Sequence, residues 1–224
     1  MIKDNLDQVQ STIADGVRLI AVSKTKPVED LQEAYDAGMR LFGENKALEM
    51  RDKHEVLPKG IEWHFIGHLQ TNKIKYIAGY VSLIHSIDSL ALLQAVSSRA
   101  ESLGIVQDVL LEVNIASEAS KSGFAPADLF SVLDSAQSLA GVHIRGLMAI
   151  PPAAPSGDEN SLFFAQMQQL FVDIGAKKYD NSNVCMQVLS MGMSADYEVA
   201  VEEGANLVRV GTSIFGARAY NLTV

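Results

Sequence analysis

Short apolar segments recur along the whole chain, separated by longer amphipathic segments, and this alternation restricts the possible folds more than any other feature. Eight of the short segments have the length and composition of β-strands. They are Leu19–Thr25, Arg40–Glu44, Glu62–Gly67, Leu83–Ile87, Asp108–Ile115, His143–Ile150, Gln187–Gly192 and Leu207–Phe215. Continuous apolar runs such as Val109-Leu110-Leu111 are typical of strands that a parallel sheet buries on both faces.

The amphipathic segments between the strands have helical spacing. Their apolar residues predict helices over residues 2–14, 28–38, 89–103 and 126–140. Pro27 and Pro126 mark the starts of two of these helices, and Gly38, Gly104 and Gly141 mark the ends of three, as helix punctuation requires.

Eight strands alternating with helices predict an α/β fold, a single-domain (β/α)8 TIM barrel over residues 1–224. A doubly wound open sheet has a similar order of elements. It would carry a G-x-G-x-x-G fingerprint at the first strand–helix junction, but that junction is Ser23-Lys24-Thr25-Lys26-Pro27. No break in composition divides the chain, and we interpret Pro151–Gly157 as a stiff loop rather than a linker.

The charge balance and the ends of the apolar runs exclude several classes of protein. Lys and Arg total 18 against 27 Asp and Glu, so the net charge of −9 does not favour a broad nucleic-acid surface, although a local basic pocket stays open. The polar N-terminus does not resemble a signal peptide, and no segment approaches the ~18 apolar residues of a membrane span. We expect a cytoplasmic monomer. The single cysteine, Cys185, fits a reducing compartment, and we interpret it as an inert packed thiol before the seventh strand.

In a barrel, the side chains that carry chemistry lie at the carboxyl ends of the strands. Lys24 ends the apolar strand Leu19–Val22, followed in the second strand by Glu44 and Asn45. A lysine in such a pocket is desolvated, which lowers its pKa and makes the amine available for Schiff-base chemistry. The alternative is a strand-end lysine that reaches solvent, as we expect of Lys26.

The segments Ser190–Ser194 and Val208–Thr212 follow strands seven and eight, where barrels of this type bind phosphate. Their glycines, Gly192 and Gly211, allow close backbone approach, and their hydroxyl groups are hydrogen-bond donors. Ser194 could instead be the N-cap of a helix over about residues 195–203.

Arg209 lies in the apolar run Leu207–Val210 and needs a partner or a ligand, because an unpaired buried charge is too costly. Met191 and Met193 could line a planar ligand. The i,i+4 pair His64 and His68 is not expected to bind metal, because its context is β-like and it lacks the H-E-x-x-H glutamate. Neither a G-x-S-x-G elbow nor a Walker loop is present.

Several motifs resemble, in the same order, those of the pyridoxal-phosphate homeostasis proteins, the YggS/PROSC family. They are Ala21–Lys26, Phe42–Asn45, Trp63–Gly67, Leu69–Lys73, Ser120–Gly123, Arg145–Met148, Leu189–Ser194 and Val208–Arg218. The resemblance implies a barrel like the N-terminal domain of alanine racemase and a role as carrier, buffer or regulator of pyridoxal 5′-phosphate (PLP), without robust catalysis. It implies PLP as the cofactor and PLP-dependent apoenzymes as candidate partners.

The resemblance also assigns roles to individual residues. Lys24 would carry PLP as an internal aldimine, with Asn45 beside it. Ser194, Gly211 and Thr212 would bind the phosphate, and Arg209 would lie near the pyridine nitrogen. With the flanking residues of the same loop, the candidate cofactor-binding set is Lys24, Asn45, Ser190, Met193, Ser194, Arg209, Gly211 and Thr212.

The chemistry of these residues favours a carrier over a strong catalyst. An arginine facing the ring nitrogen disfavours a second positive charge there, so the ring is a poorer electron sink. A racemase also needs a second base from another domain, whereas only Tyr220 and three residues follow the barrel. Two alternatives stay open: a minimal racemase using Lys24 with Tyr35 or His64, and a class I aldolase acting on a phosphorylated sugar.

Overall fold

A closed barrel of eight parallel strands forms the centre of the molecule, each strand pairing with the next in sequence and the eighth with the first. This computed structural model describes residues 1–118, 121–152, 157–177 and 183–217. The strands are β1 Arg18–Val22, β2 Leu41–Glu44, β3 Glu62–Phe65, β4 Val81–Ile87, β5 Gln107–Val113, β6 Val142–Ala149, β7 Val184–Ser190 and β8 Leu207–Val210. The predicted (β/α)8 barrel is confirmed.

Helices cover the outside of the barrel and connect most of the strands. They are α1 Ile2–Thr12, α2 Val28–Asp36, α3 Ala47–Val56, α4 Leu90–Ser102, α5 Leu129–Ala136, α6 Ser161–Ala176, α7 Tyr197–Glu202 and α8 Thr212–Phe215. A short 3-10 turn over Thr71–Tyr76 connects β3 to β4. Within the described ranges, no helix combines the length and apolar character needed to cross a membrane.

The N-terminal helix α1 is present as predicted and ends two residues before the expected limit. It buries Leu6 and Val9 and packs against α2 and α8. The side-chain amide of Asn5 donates to the carbonyl of Ile214 at 2.9 Å, which ties α1 to the segment after β8. The helix therefore supports one wall of the barrel mouth from outside.

Apolar residues are buried on both faces of the strands, as their continuous runs predict. One group packs between the strands and the helices, and a smaller cluster fills the inside of the barrel. The inner cluster consists of Ile20, Leu83, Leu110, Met148 and Leu207. Complete burial of one such side chain contributes about 1.5–3 kcal/mol to folding.

The first strand is shorter than predicted, because the chain turns before Lys24. β1 ends at Val22, the N–H of Lys26 donates to the carbonyl of Ser23 at 3.0 Å, and Thr25 has a left-handed φ of 64°. The predicted end of this strand at Thr25 is wrong. Lys24 consequently projects from a tight turn at the barrel rim.

The last two strands also differ from their predicted limits. β8 ends at Val210, and the residues predicted to continue it form the short helix α8. β7 begins at Val184, so Cys185 lies inside the strand and is exposed. The interpretation of Cys185 as a packed thiol before the strand is wrong.

Some sequence interpretations concern residues outside the described ranges. Ser120, Arg218 and Tyr220 lie there, as do residues 153–156 of the loop that we interpreted as stiff.

Candidate functional site

A cavity of about 270 Å³ lies at the carboxyl end of the barrel. It brings together seven of the eight candidate residues: Lys24, Asn45, Met193, Ser194, Arg209, Gly211 and Thr212. Val22, Ile66 and Ile150 add apolar surface to its walls. The eighth candidate, Ser190, does not line the cavity but is fully buried and hydrogen-bonded to Arg209. Met191 is also buried, so the interpretation that it lines a ligand is wrong.

The turn that carries Lys24 is tied to neighbouring elements on both sides of the lysine. The hydroxyl of Ser23 donates to Glu44 Oε1 at 2.7 Å, and Lys53 Nζ donates to the Ser23 carbonyl at 2.8 Å. On the other side, the N–H of Thr25 donates to Glu49 Oε1 at 2.6 Å. These bonds anchor the backbone around Lys24 to β2 and α3.

The anchor is a buried ionic cluster. Lys53 Nζ lies 2.7 Å from Glu44 Oε1 and 2.7 Å from Glu49 Oε1, and Glu44 is completely buried. Burial raises the pKa of Glu44, while Lys53 and the hydroxyl of Ser23 oppose that rise. The second oxygen, Oε2, is buried and has no hydrogen-bond partner among the described residues. Sequence reasoning noted Glu44 as a strand-end residue but missed Lys53, whose i,i+4 spacing from Glu49 was the available signal.

Lys26 has a structural role that the sequence interpretation missed. Its ammonium group donates to the carbonyls of Phe215 at 2.7 Å, Ala217 at 3.1 Å and Gly216 at 3.2 Å. A lysine at the carboxyl end of a helix satisfies carbonyls that lack intrahelical partners. Lys26 is half-buried and also lines the cavity, and its bonds join the turn after β1 to the end of α8.

The loops after β7 and β8 are hydrogen-bonded to each other and to α7. The N–H of Gly211 donates to Ser194 Oγ at 3.1 Å. Asp196 Oδ1 accepts from the N–H of Met193 at 2.7 Å, and its Oδ2 accepts from the Asn160 amide at 2.8 Å. The N-cap of α7 is Asp196, so the alternative interpretation of Ser194 as a helix cap is wrong. Sequence reasoning missed Asp196, whose side chain makes no capping bond to α7 and binds Met193 and Asn160 instead.

Hydrogen-bond donors remain at the rim of the cavity near these loops. The N–H groups of Ser194 and Ala195 have no acceptor within the part of the chain that is described. Ser194 accepts through its oxygen, so its hydroxyl hydrogen can still be donated. With the hydroxyl of Thr212 and the ammonium of Lys24, this rim is suited to an anion.

The two glycines of these loops serve different purposes. Gly192 has a φ of 89°, and a Cβ there would lie 2.6 Å from the Cβ of Ala200 in α7. Gly211 lines the cavity, and a Cβ there would lie 3.0 Å from the carbonyl oxygen of Val22. Gly192 therefore allows the loop to pack on α7, while Gly211 allows β8 to end close beside β1.

Arg209 forms part of the cavity floor and is only 4% exposed. Its NH1 donates to the carbonyl and the hydroxyl of Ser190 at 2.9 and 2.7 Å, and NH2 donates to the Ala149 carbonyl at 3.0 Å. Burial lowers the pKa of Arg209 to about 10, which still leaves it charged at neutral pH. The prediction that this arginine needs a partner is confirmed.

The residues suggested for a second catalytic group lie away from the cavity. The guanidinium of Arg40 covers the ring of Tyr35 at 4.0 Å, and Tyr35 does not line the cavity. His64 lies in β3, bonded to His85 and Glu62, and His68 pairs with Asp88. The β context predicted for the two histidines is confirmed for His64. Among the described residues, no group of three or more His, Cys, Asp or Glu side chains could hold a metal ion.

Comparison with known proteins shows the family to which the chain belongs. The model of the alanine racemase N-terminal domain matches residues 1–219. The pyridoxal phosphate homeostasis protein of Aquifex aeolicus is 43% identical over 204 residues, covering 91% of this chain and 88% of the relative. The protein of the same name from Escherichia coli K12 is 38% identical over 235 residues and 98% of each chain.

Solved structures give the same result. PipY of Synechococcus elongatus without PLP superposes with a TM-score of 0.89 at 38% identity, covering 96% of this chain and all of that one. The PLP-bound structure of PipY superposes with a TM-score of 0.87 at 36% identity. An alanine racemase of Clostridium difficile, at 14% identity and a TM-score of 0.75, shares the fold. This chain belongs to the alanine racemase N-terminal domain family, and within it to the pyridoxal phosphate homeostasis proteins.

Proposed function

We propose that this protein binds PLP in the cavity at the barrel mouth and acts in PLP homeostasis as a carrier, buffer or regulator. One observation carries the proposal: a single cavity joins a lysine on an anchored turn, an anion-suited rim and a buried arginine. Each feature fits a different part of PLP, namely the aldehyde, the phosphate and the pyridine ring. The names of the relatives support the same role.

Lys24 is the proposed covalent attachment point. PLP would supply an aldehyde, which condenses with an amine with loss of water, and Lys24 would present that amine from a rigid turn. The contacts of Ser23 and Thr25 hold the backbone on either side of Lys24, so its side chain starts from a fixed point at the cavity wall. Asn45 Oδ1 is buried without a hydrogen-bond partner among the described residues and is available to a polar substituent of the ring.

The loops after β7 and β8 are the proposed phosphate site. The N–H groups of Ser194 and Ala195 and the hydroxyls of Ser194 and Thr212 supply donors. Gly211 supports this site through its bond to Ser194. Backbone N–H groups are well suited to phosphate because they place partial positive charge close to the anion.

Arg209 is the proposed partner of the pyridine ring, and Ser190 supports it from below. A permanent cation beside the ring nitrogen opposes protonation of that nitrogen. An unprotonated ring withdraws electrons weakly, so this environment suits storage of the cofactor better than carbanion chemistry. Met193, which is 37% exposed, and Ile66 offer apolar contact to the ring.

A minimal racemase is the alternative function, but its proposed second group is missing from the site. Neither Tyr35 nor His64 lines the cavity. An aldolase would share the lysine and the anion rim, but it would bind a sugar phosphate and carry no chromophore. We therefore propose a role without robust catalysis, in the cytoplasm and as a monomer, with PLP-dependent apoenzymes as recipients.

The visible absorption spectrum of the purified protein with PLP tests the proposed function. We expect a band in the visible range that borohydride abolishes. Peptide mapping of the reduced protein should then find the label on Lys24. Incubation with amino acids in deuterated water should give no rapid exchange of the α-proton. Rapid exchange would favour the racemase, whereas borohydride trapping of a sugar phosphate without a chromophore would favour the aldolase.

A further inference from the structure

The inside of this barrel contains a line of polar side chains where such barrels usually have branched apolar residues. His64 of β3, His85 of β4, Ser190 of β7 and Arg209 of β8 are all buried, the first three completely. They come from four different strands and lie beside the inner apolar cluster. Because buried polar groups are costly unless paired, the pairing of these four requires an explanation.

The four side chains form a continuous hydrogen-bonded chain that continues to the other end of the barrel. Ser190 Oγ lies 2.7 Å from Arg209 NH1 and 3.0 Å from His85 Nδ1. His85 Nε2 lies 3.0 Å from His64 Nδ1. His64 Nε2 lies 3.2 Å from Glu62 Oε1. We refer to Arg209, Ser190, His85, His64 and Glu62 as the interior chain.

The donors and acceptors of the interior chain can be assigned from one end to the other. Arginine can only donate, so Ser190 Oγ accepts from Arg209 and is left with its own hydrogen to donate to His85 Nδ1. His85 then carries its hydrogen on Nε2 and donates to His64 Nδ1. His64 in turn carries its hydrogen on Nε2 and donates to the carboxylate of Glu62. Every bond therefore runs in the same direction, from the guanidinium to the carboxylate.

The charges around the interior chain agree with this assignment. Burial lowers the pKa of both His64 and His85, and the nearby cations Arg209 and Arg18 lower that of His85 further. The bonds from His64 and Arg18 lower the pKa of Glu62 to about 2. Two neutral imidazoles thus lie between a cation at the cavity and an anion at the opposite rim.

We infer that His85, His64 and Glu62 are positioning residues for Arg209, acting through Ser190 to orient the guanidinium in the floor of the cavity. The acceptor at His85 Nδ1 directs the Ser190 hydroxyl hydrogen away from Arg209, so that the oxygen faces NH1. Three of the five N–H donors of Arg209 are used by Ser190 and Ala149, which leaves at most two for a ligand. The interior chain fixes one of these three bonds, the one to the Ser190 hydroxyl, and the carbonyls of Ser190 and Ala149 fix the other two.

The expected effect of the interior chain on PLP binding rests on the proposed function. The positions of the hydrogens on His64 and His85 do not depend on it and can be tested separately. In the protein without PLP, nitrogen NMR of labelled histidine should show His64 and His85 neutral and protonated at Nε2 above pH 6.5, the ordinary pKa of histidine. In Ser190→Ala, the Nδ1 resonance of His85 should shift because this nitrogen no longer accepts a hydrogen bond, while the hydrogen stays on Nε2, where it is donated to His64. A charged imidazole, or a hydrogen on Nδ1 of either residue in the wild type, would overturn the inference.

A second measurement, the ligand affinity of His64 variants, tests whether a residue outside the cavity affects binding inside it. His64→Phe keeps an aromatic ring but removes the acceptor for His85, whereas His64→Gln retains one acceptor and one donor. We expect His64→Phe to lower the affinity for both PLP and pyridoxal about fivefold to tenfold, which is the effect of losing one orienting hydrogen bond. His64→Gln should recover part of that loss.

Leu83→Val is the matched control, since it removes volume from the inner apolar cluster and replaces no member of the interior chain. It should lower thermal stability but leave both affinities unchanged. Equal losses in Leu83→Val and His64→Phe would show that only packing matters and would overturn the inference. If His64→Phe does not fold, Glu62→Ala at the partly exposed rim replaces it and should weaken PLP in the same direction. A wild-type protein that forms no chromophore would contradict the proposed function, while the histidine NMR would still decide the inference.

Discussion

The backbone N–H of Gly211 donates to the side chain of Ser194 at 3.1 Å, and this bond joins the two loops that form the anion-suited rim of the cavity. The bond uses the oxygen of Ser194 and leaves its hydrogen available to a ligand. One side chain thus stabilises the rim and contributes a donor to it. Substitution of Ser194 should therefore change both ligand binding and stability.

Ser194→Ala and Thr212→Ala should each weaken the binding free energy of PLP by about 1.5–3 kcal/mol, the contribution of one hydrogen bond to a charged group. Pyridoxal, which lacks the phosphate, should bind almost equally to the variants and the wild type. Titration calorimetry with both ligands provides the test, and Ser213→Ala, outside the cavity lining, is the control. Equal losses of PLP and pyridoxal affinity would show that these hydroxyls do not bind phosphate.

Lys24→Ala should abolish the visible band while leaving the barrel folded, because only one half-buried side chain beyond the end of β1 is lost. PLP should still bind, more weakly and without a covalent bond. Absorption spectroscopy and circular dichroism measure the two effects. Lys73 and Lys121 provide lysine-to-alanine controls away from the cavity, and borohydride labelling of either one would contradict the assignment.

Lys26→Ala should keep the visible band, because the covalent site is intact, but it should bind PLP more weakly than the wild type. The reason is that Lys26 holds the carbonyls at the end of α8 and thereby supports the rim. Comparison of PLP and pyridoxal affinities separates this effect from a loss at Lys24. Complete loss of the band in Lys26→Ala would assign it the role proposed for Lys24.

Lys53→Met should destabilise the fold by about 3–5 kcal/mol, since it leaves the carboxylate of Glu44 buried without its cation. The double variant Glu44→Gln, Lys53→Met should recover part of that loss, because no uncompensated charge remains. Urea denaturation monitored by tryptophan fluorescence gives both values, using the buried Trp63. A double variant less stable than Lys53→Met would contradict the ionic origin of the effect.

The free energy of unfolding should fall as the pH decreases below 6.5, the ordinary pKa of histidine. The unfolded chain binds protons there, whereas the folded chain holds His64 and His85 neutral because burial lowers their pKa. The stabilisation is thus complete above pH 6.5 and is lost toward the lowered folded pKa values. Each histidine contributes a slope of at most about 1.4 kcal/mol per pH unit.

Denaturation at a series of pH values measures this slope. His64→Gln should reduce the slope, because this residue then takes up no proton on unfolding, while His85 still does. An unchanged slope in His64→Gln would mean that other groups cause the acid sensitivity.

Local patterns in the sequence are sufficient to predict the barrel and most of its elements. A run such as Val109-Leu110-Leu111 is typical of a strand that a parallel sheet buries on both faces, and all three residues are buried in the closed barrel. The limits of β1 and β8 were missed because a turn and a four-residue helix replace the strand ends there. Those limits depend on hydrogen bonds to distant loops, which the composition of the segment does not express.

The seven candidate residues that line the cavity were predictable because strand order places every strand end on one face of a barrel. The residues that anchor the turn of Lys24 could not be predicted in this way. Lys53 lies on α3 and contacts Ser23 and Glu44 only after the barrel closes. Ser190 was assigned to the cavity, but its direction along β7 places it beneath Arg209 instead.

The interior chain depends most strongly on the folded structure. His85 and Ser190 are separated by 105 residues, and their contact follows from the register of strands that are not neighbours in the barrel. No local pattern encodes that register, because it results from closure of the whole sheet. Residue types and their order therefore specify the barrel and its rim, whereas the partners of buried polar groups are decided by how the closed barrel aligns its strands.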